Sequence, residues 1–252
     1  MLVVISPAKK LDENCDKNII SKFTVPPYLE SSKKIIKALR CYSADNLSKL
    51  MNTSEKISQL NYKRNIKWSL PFNKSNSIQA LLMFQGDVYK GISCNDFDEE
   101  DFLFAQKSLR ILSGLYGILK PLDLIQPYRL EMGTRLKIGK HKDLYDFWGN
   151  DITNIINNDK NNDYLINLAS VEYFKSINVK HLKSKVINVS FKEKRDGKFK
   201  IIAIYSKKAR GMMSRYIIKN KITEPSKLKE FNSDKYRFNK MLSSGSELVF
   251  TR

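Results

Sequence analysis

Three features of this 252-residue sequence predict a mixed α/β domain. Short, wholly apolar runs such as Leu2-Val3-Val4-Ile5 read as buried strands. Several stretches carry apolar residues at helical spacing behind a capping side chain, of which Asp98 is the clearest. Two strand-like segments meet at Asp196-Gly197, the strongest hairpin signal in the chain. No repeat, low-complexity tract or Pro/Gly-rich linker divides the sequence, so 1–252 is read as one domain with a basic C-terminal third, 180–252.

The elements follow in order. Leu2 to Ile5 is a strand ending at Ser6-Pro7-Ala8-Lys9-Lys10. Helices are expected over 28–40, 43–51 and 54–63, with Ser43 and Ser54 as N-caps. Residues 78–84 fit strand and helix equally, and 86–91 reads as a loop. From Asp98 a helix runs to a stop at Gly114, with Glu99, Glu100 and Asp101 at the positive end of its dipole. Asp143 caps a helix to about residue 157. Tyr164 to Ala169 is a buried strand. Lys185 to Lys192 and Lys198 to Tyr205 form the hairpin, Ser206 opens a helix to about Asn220, and Glu247 to Thr251 is a last strand.

The chain is 42% hydrophobic and 28% charged, which supports a sizeable core and argues against disorder. No apolar run approaches the roughly 18–20 residues that cross a bilayer, and the opening residues read as a strand, not a signal peptide. Three cysteines in no motif suit a reducing cytoplasm. Lys and Arg outnumber Asp and Glu by 45 to 26, and the excess is uneven: residues 180–252 hold 20 bases and 6 acids. Only 10 of the 45 bases are Arg, so compositional bias towards Lys accounts for part of the excess. The rest implies a polyanionic partner.

Three segments are candidates for binding it. With Ser206 as N-cap, Lys207, Lys208 and Arg210 would occupy a first helical turn, opposing the dipole by about 0.3–1 kcal/mol each unless an anion sits there. The ends of the two buried strands carry Ser6, Lys9 and Lys10 on one and Asn167, Ser170, Glu172 and Tyr173 on the other. Ligands in α/β sheets collect at such ends; if these two ends and that of the strand before Ser206 are neighbours, Ser6, Lys9, Asn167, Ser170, Tyr173, Lys207 and Arg210 would share one cleft. Finally, Gly114 and Gly117, ahead of Lys120, suggest a hairpin offering backbone N–H groups to a phosphate. Their Gly-x-x-Gly spacing is one longer than the usual Gly-x-Gly, and a C-cap followed by a turn fits equally. His141 and His181 stand 40 positions apart with no metal-ligand spacing, and no phosphate-loop, dinucleotide or nucleophile-elbow motif is present, so no metal or cofactor is expected.

Taken together, several long stretches resemble the YaaA peroxide stress protein family. They are Ile5-Ser6-Pro7-Ala8-Lys9-Lys10-Leu11-Asp12, Phe84-Gln85-Gly86-Asp87-Val88-Tyr89, Leu112-Ser113-Gly114-Leu115-Tyr116-Gly117 and Gln126-Pro127-Tyr128-Arg129-Leu130-Glu131-Met132-Gly133. Leu144-Tyr145-Asp146-Phe147-Trp148-Gly149, Asn167-Leu168-Ala169-Ser170, Lys207-Lys208-Ala209-Arg210-Gly211 and Glu247-Leu248-Val249-Phe250 follow. The resemblance implies a cytoplasmic protein, induced by hydrogen peroxide, that limits oxidative damage and free iron. It also implies a single compact mixed α/β domain with a positively charged cleft and a helix-hairpin-helix-like element, binding double-stranded or irregular DNA. By position, the hairpin would be Ser113 to Lys120, and the cleft would use Lys9, Lys207, Lys208, Arg210 and Arg215. Val171, Arg237 and Lys240 depart from the family pattern, standing where acidic residues are familiar.

The leading expectation is therefore a DNA-binding stress protein with no assigned catalytic residue and no inferable protein partner. The alternative is an enzyme acting on a nucleotide-like or phosphate-bearing small molecule, with Lys9 as base and Glu172 as its acid–base partner.

Overall fold

The computed structural model describes residues 1–15, 19–160 and 163–252. Leu2–Ile5, buried at every position, is an interior strand of the main sheet. It pairs in parallel with Leu109–Ser113 on one side and Tyr164–Leu168 on the other. Lys185–Arg195 and then Glu247–Thr251 continue the sheet in parallel. Three short antiparallel strands complete it: Gly117–Leu119 against Leu109–Ser113, Arg237–Phe238 against Glu247–Thr251, and Lys198–Lys200 folded back on Lys185–Arg195. The central strands are covered on both faces, which is why they read as unbroken apolar runs. Lys185–Arg195 instead alternates between buried and accessible positions over much of its length.

The apolar side chains form one continuous core around this sheet, and the mixed α/β class stands. Ser43 caps Ala44–Met51 by accepting a 3.3 Å hydrogen bond from the Asn46 amide. Asn52 then turns the chain in the left-handed conformation into Glu55–Lys67. Asp98 and Asp101 make a reciprocal capping box at the start of Glu99–Ser108. Asp196 (φ 51°) and Gly197 (φ 73°) both adopt the positive φ that a two-residue hairpin turn demands.

Five local expectations are corrected. The helix from Asp98 ends at Ser108, and Leu109–Ser113 is a buried strand paired with Leu2–Ile5; tertiary pairing outweighs the helical periodicity there. The helix behind Asp143 is interrupted at Gly149 (φ 48°), giving Leu144–Trp148 and Asp151–Asn157. Residues 86–91 are not a loop, because Asp87–Ile92 is helical. The second hairpin strand stops at Lys200, well short of Tyr205. The last helix begins at Ala203, three residues before Ser206, whose amide already donates a 2.8 Å hydrogen bond to the Ile202 carbonyl.

That last correction removes the helix-start argument. Lys207, Lys208 and Arg210 stand beyond the first turn of Ala203–Lys219, where the dipole no longer opposes them. No helix among the described residues is long and apolar enough to cross a membrane.

Candidate functional site: a pocket at the strand ends

The parallel order of the central strands places the carboxyl ends of Leu2–Ile5 and Tyr164–Leu168 side by side. Ser6 and Ser170 follow them and meet: the Ser6 hydroxyl lies 3.3 Å from that of Ser170 and accepts a 2.9 Å hydrogen bond from the Ser170 amide. The Tyr89 hydroxyl donates to the Ser6 carbonyl at 3.1 Å, tying this seam to Asp87–Ile92. A pocket of about 440 Å³ opens over the seam. Such crevices beyond strand carboxyl ends are where α/β sheets hold ligands.

The last helix forms another wall. Gly91 of Asp87–Ile92 faces Gly211 of Ala203–Lys219 so closely that a Cβ on either would stand 2.9 Å from the Cα of the other. The two helices therefore touch through backbone, and this contact brings Lys207 and Arg210 to the pocket beside Gln85 and Asp87.

The charges of the pocket are unequally matched. Lys9 pairs with Glu131 at 2.7 Å, and Arg129 reaches the same carboxylate at 3.4 Å. Glu172 is held by the Gly133 amide, which donates a 2.9 Å hydrogen bond to its Oε1. Arg210 makes no ion pair among the described residues, and its Nε is buried without a hydrogen-bond partner. Burial alone lowers the Arg210 pKa. The Arg129 Nε is likewise buried and unpartnered. Tyr89, Tyr128 and Tyr173 are buried at the pocket, and burial raises the pKa of each phenol, so all three remain neutral.

The structure thus brings Ser6, Lys9, Lys10, Ser170, Glu172, Tyr173, Lys207 and Arg210 together around one pocket. Asn167 does not line it. Its carboxamide instead closes the turn, accepting from the Ala169 amide at 3.0 Å and donating to Asn188 at 2.9 Å. Lys208 and Arg215 border a separate, more open groove. Lys208 stands 3.9 Å from Asp234. Arg215 is committed to the fold, holding Asp96 through two hydrogen bonds of 2.8 and 2.5 Å and the Ile92 and Ser93 carbonyls.

The segment Ser113 to Lys120 is no helix-hairpin-helix element: strand, turn and strand occupy it. Gly114 and Gly117 are buried, Gly114 against the Leu130 backbone and Gly117 (φ 70°) against the Trp148 ring, so their backbone is turned to the core. Lys120 is exposed, but its amide is taken by Asp123 at 2.7 Å. The pocket also draws in Gln85, Asp87, Arg129 and Glu131, which no catalytic or binding motif in the sequence marks.

The family model described as peroxide stress protein YaaA matches residues 1–242. The chain is 52% identical over its whole length to a UPF0246 protein of Saccharophagus degradans, covering 99% of that protein. It is 49% identical to a UPF0246 protein of Acaryochloris marina, with both chains covered in full. The chain belongs to the YaaA peroxide stress protein family.

Of the eight stretches quoted above for this YaaA-family chain, five contribute to the pocket: those holding Ser6 and Lys9, Gln85 and Asp87, Arg129 and Glu131, Ser170, and Lys207 and Arg210. The other three belong mainly to the core, with Tyr116, Trp148 and Phe250 fully buried. Among the described residues, no group of three or more His, Cys, Asp or Glu is arranged to hold a metal ion.

Proposed function

We propose that this chain acts in the response to peroxide by binding DNA at the mouth of the strand-end pocket. The observation that carries the reading is the set Lys10, Lys207 and Arg210, which line one pocket from two distant parts of the chain with no ion pair to any described carboxylate. Like charges gathered in this way repel unless an anion stands among them, and a phosphate backbone supplies one at every step. The net charge of +19 provides the long-range attraction. Contacts of this kind confer affinity with little sequence preference. Limiting free iron, which the resemblance also implies, has no residue assigned to it.

The test is a fluorescence-anisotropy titration of a labelled duplex across a range of salt concentrations. Binding should weaken with salt, by a slope of about −0.9 in log K per neutralised phosphate. The triple variant Lys207→Ala, Lys208→Ala, Arg210→Ala should weaken binding and flatten that slope by about 2–3 units. An unchanged titration curve would remove the segment from Lys207 to Arg210 from the mechanism.

One observation favours the second reading, an enzyme for a phosphate-bearing small molecule. The pocket is of the size that encloses small ligands, and a duplex does not enter it. Turnover of such a molecule without any DNA affinity would establish that reading in place of the first.

A further inference from the structure

We infer that the pocket receives a single nucleotide unit drawn out of a DNA strand, its phosphate on Arg210 and the amino edge of its base on Asp87. This rests on the DNA-binding reading above and specifies what that site takes in. A small pocket and a long polymer are mismatched in size. A volume of about 440 Å³ suits one small ligand and no duplex. Proteins that handle a base individually resolve the same mismatch by extruding it into a fitted pocket.

Arg210 and Asp87 are opposite charges in this pocket that do not neutralise each other. Arg210 has no ion pair among the described residues, and a buried guanidinium N–H without a partner is a costly thing to keep. Asp87 is half-buried, lines the same pocket, and also makes no ion pair among the described residues. The two do not pair with each other, whereas Lys9 and Arg129 nearby both pair with Glu131. A ligand that spends both charges carries an anion at one point and hydrogen-bond donors at another. A nucleotide with an exocyclic amine does so: the phosphate matches a guanidinium, and the amine matches a carboxylate. Pro7, Ala8, Val88 and Leu130 supply apolar lining for the flat base.

The experiment uses the full chain and a duplex carrying 2-aminopurine opposite an abasic site, with binding followed by anisotropy and extrusion by 2-aminopurine emission. Free dCMP and dTMP serve as competitors. We expect a several-fold rise in emission on binding. We also expect competition by dCMP at least tenfold stronger than by dTMP, as one good base-edge contact provides. Asp87→Asn should erase that preference, and Arg210→Ala should weaken both competitors.

Binding of the duplex with no rise in emission and no competition by either nucleotide would overturn the inference while leaving DNA binding intact. Absence of duplex binding together with tight dCMP binding would overturn DNA binding, and the strand-borne nucleotide with it. The emission measurement needs only the unaltered chain, so misfolding of either variant does not blunt the test.

Discussion

A methyl group on Gly91 would stand 2.9 Å from the Cα of Gly211, and the reverse holds at the same distance. No real Cβ tolerates such contacts with backbone, and backbone cannot move aside as a side chain does. Gly211→Ala must therefore push Ala203–Lys219 away from Asp87–Ile92. Overpacking of this kind costs about 1–3 kcal/mol, which thermal denaturation will register as a drop of several degrees in Tm. It also withdraws Lys207 and Arg210 from the pocket, so ligand affinity should fall further than the stability loss explains. A variant with wild-type Tm and wild-type binding would show that the two helices do not set the site.

The far end of the same helix is anchored by Asp101, nearly inaccessible in the first turn of Glu99–Ser108 and bonded to Lys219 at 2.6 Å and to Lys221. Burial disfavours the Asp101 charge, but the hydrogen bonds from Lys219 and Lys221 outweigh it, and the pKa is lowered. A depressed carboxyl stabilises the fold above its unfolded pKa near 4, and the contribution is lost as pH falls through the lowered value. Asp101→Asn should thus cost about 1–3 kcal/mol at neutral pH, moderated by the partial exposure of both lysines. The deficit relative to wild type should shrink in urea titrations carried out below pH 4. A deficit independent of pH would assign the loss to packing and not to charge.

Much of this architecture was legible because its signals are local. Leu2–Ile5, the Asp98 cap, the Asp196-Gly197 turn and Glu247–Thr251 each declare themselves within a few residues. The errors arose where distant pairing decides. Leu109–Ser113 continues a helical stripe in sequence, but it is drawn into the sheet by Leu2–Ile5, more than a hundred positions away. Gly114 and Gly117 looked like a phosphate-binding hairpin because glycine marks any close approach, and here the approaching groups are Leu130 and Trp148. The pocket was half legible. Strand-end chemistry pointed to Ser6 and Ser170, whereas Asp87 and Arg129 lie in segments whose position no local pattern fixes.

Membership of a peroxide stress family raises the question of a reactive thiol, and Cys94 gives a checkable answer. Burial pushes its pKa up to about 11. At pH 7.5 only about one molecule in a few thousand would carry the thiolate, the form that reacts with oxidants and alkylating agents. Cys41 is exposed and Cys94 is not. Iodoacetamide on the native protein, read by mass spectrometry, should therefore modify Cys41 well before Cys94, with the Cys94 rate rising through pH 9 and 10. Rapid modification of Cys94 at neutral pH would contradict the buried thiol and reopen a thiol-based role.

Two basic residues on one helix, Lys207 and Arg215, separate surface function from scaffold. Lys207 is exposed at the pocket and makes no ion pair among the described residues. Arg215 is spent on Asp96, whose carboxyl its hydrogen bonds hold down at about 2, and on the Ile92 and Ser93 carbonyls that end Asp87–Ile92. Lys207→Ala should leave Tm unchanged and lower the salt slope of DNA binding by about 0.9, the share of one phosphate contact. Arg215→Ala should do the opposite, lowering Tm while the slope stays within error of wild type. The pair is informative because total charge falls by the same amount in each. If both variants change the slope equally, the protein attracts DNA by net charge alone and the pocket has no privileged part in it.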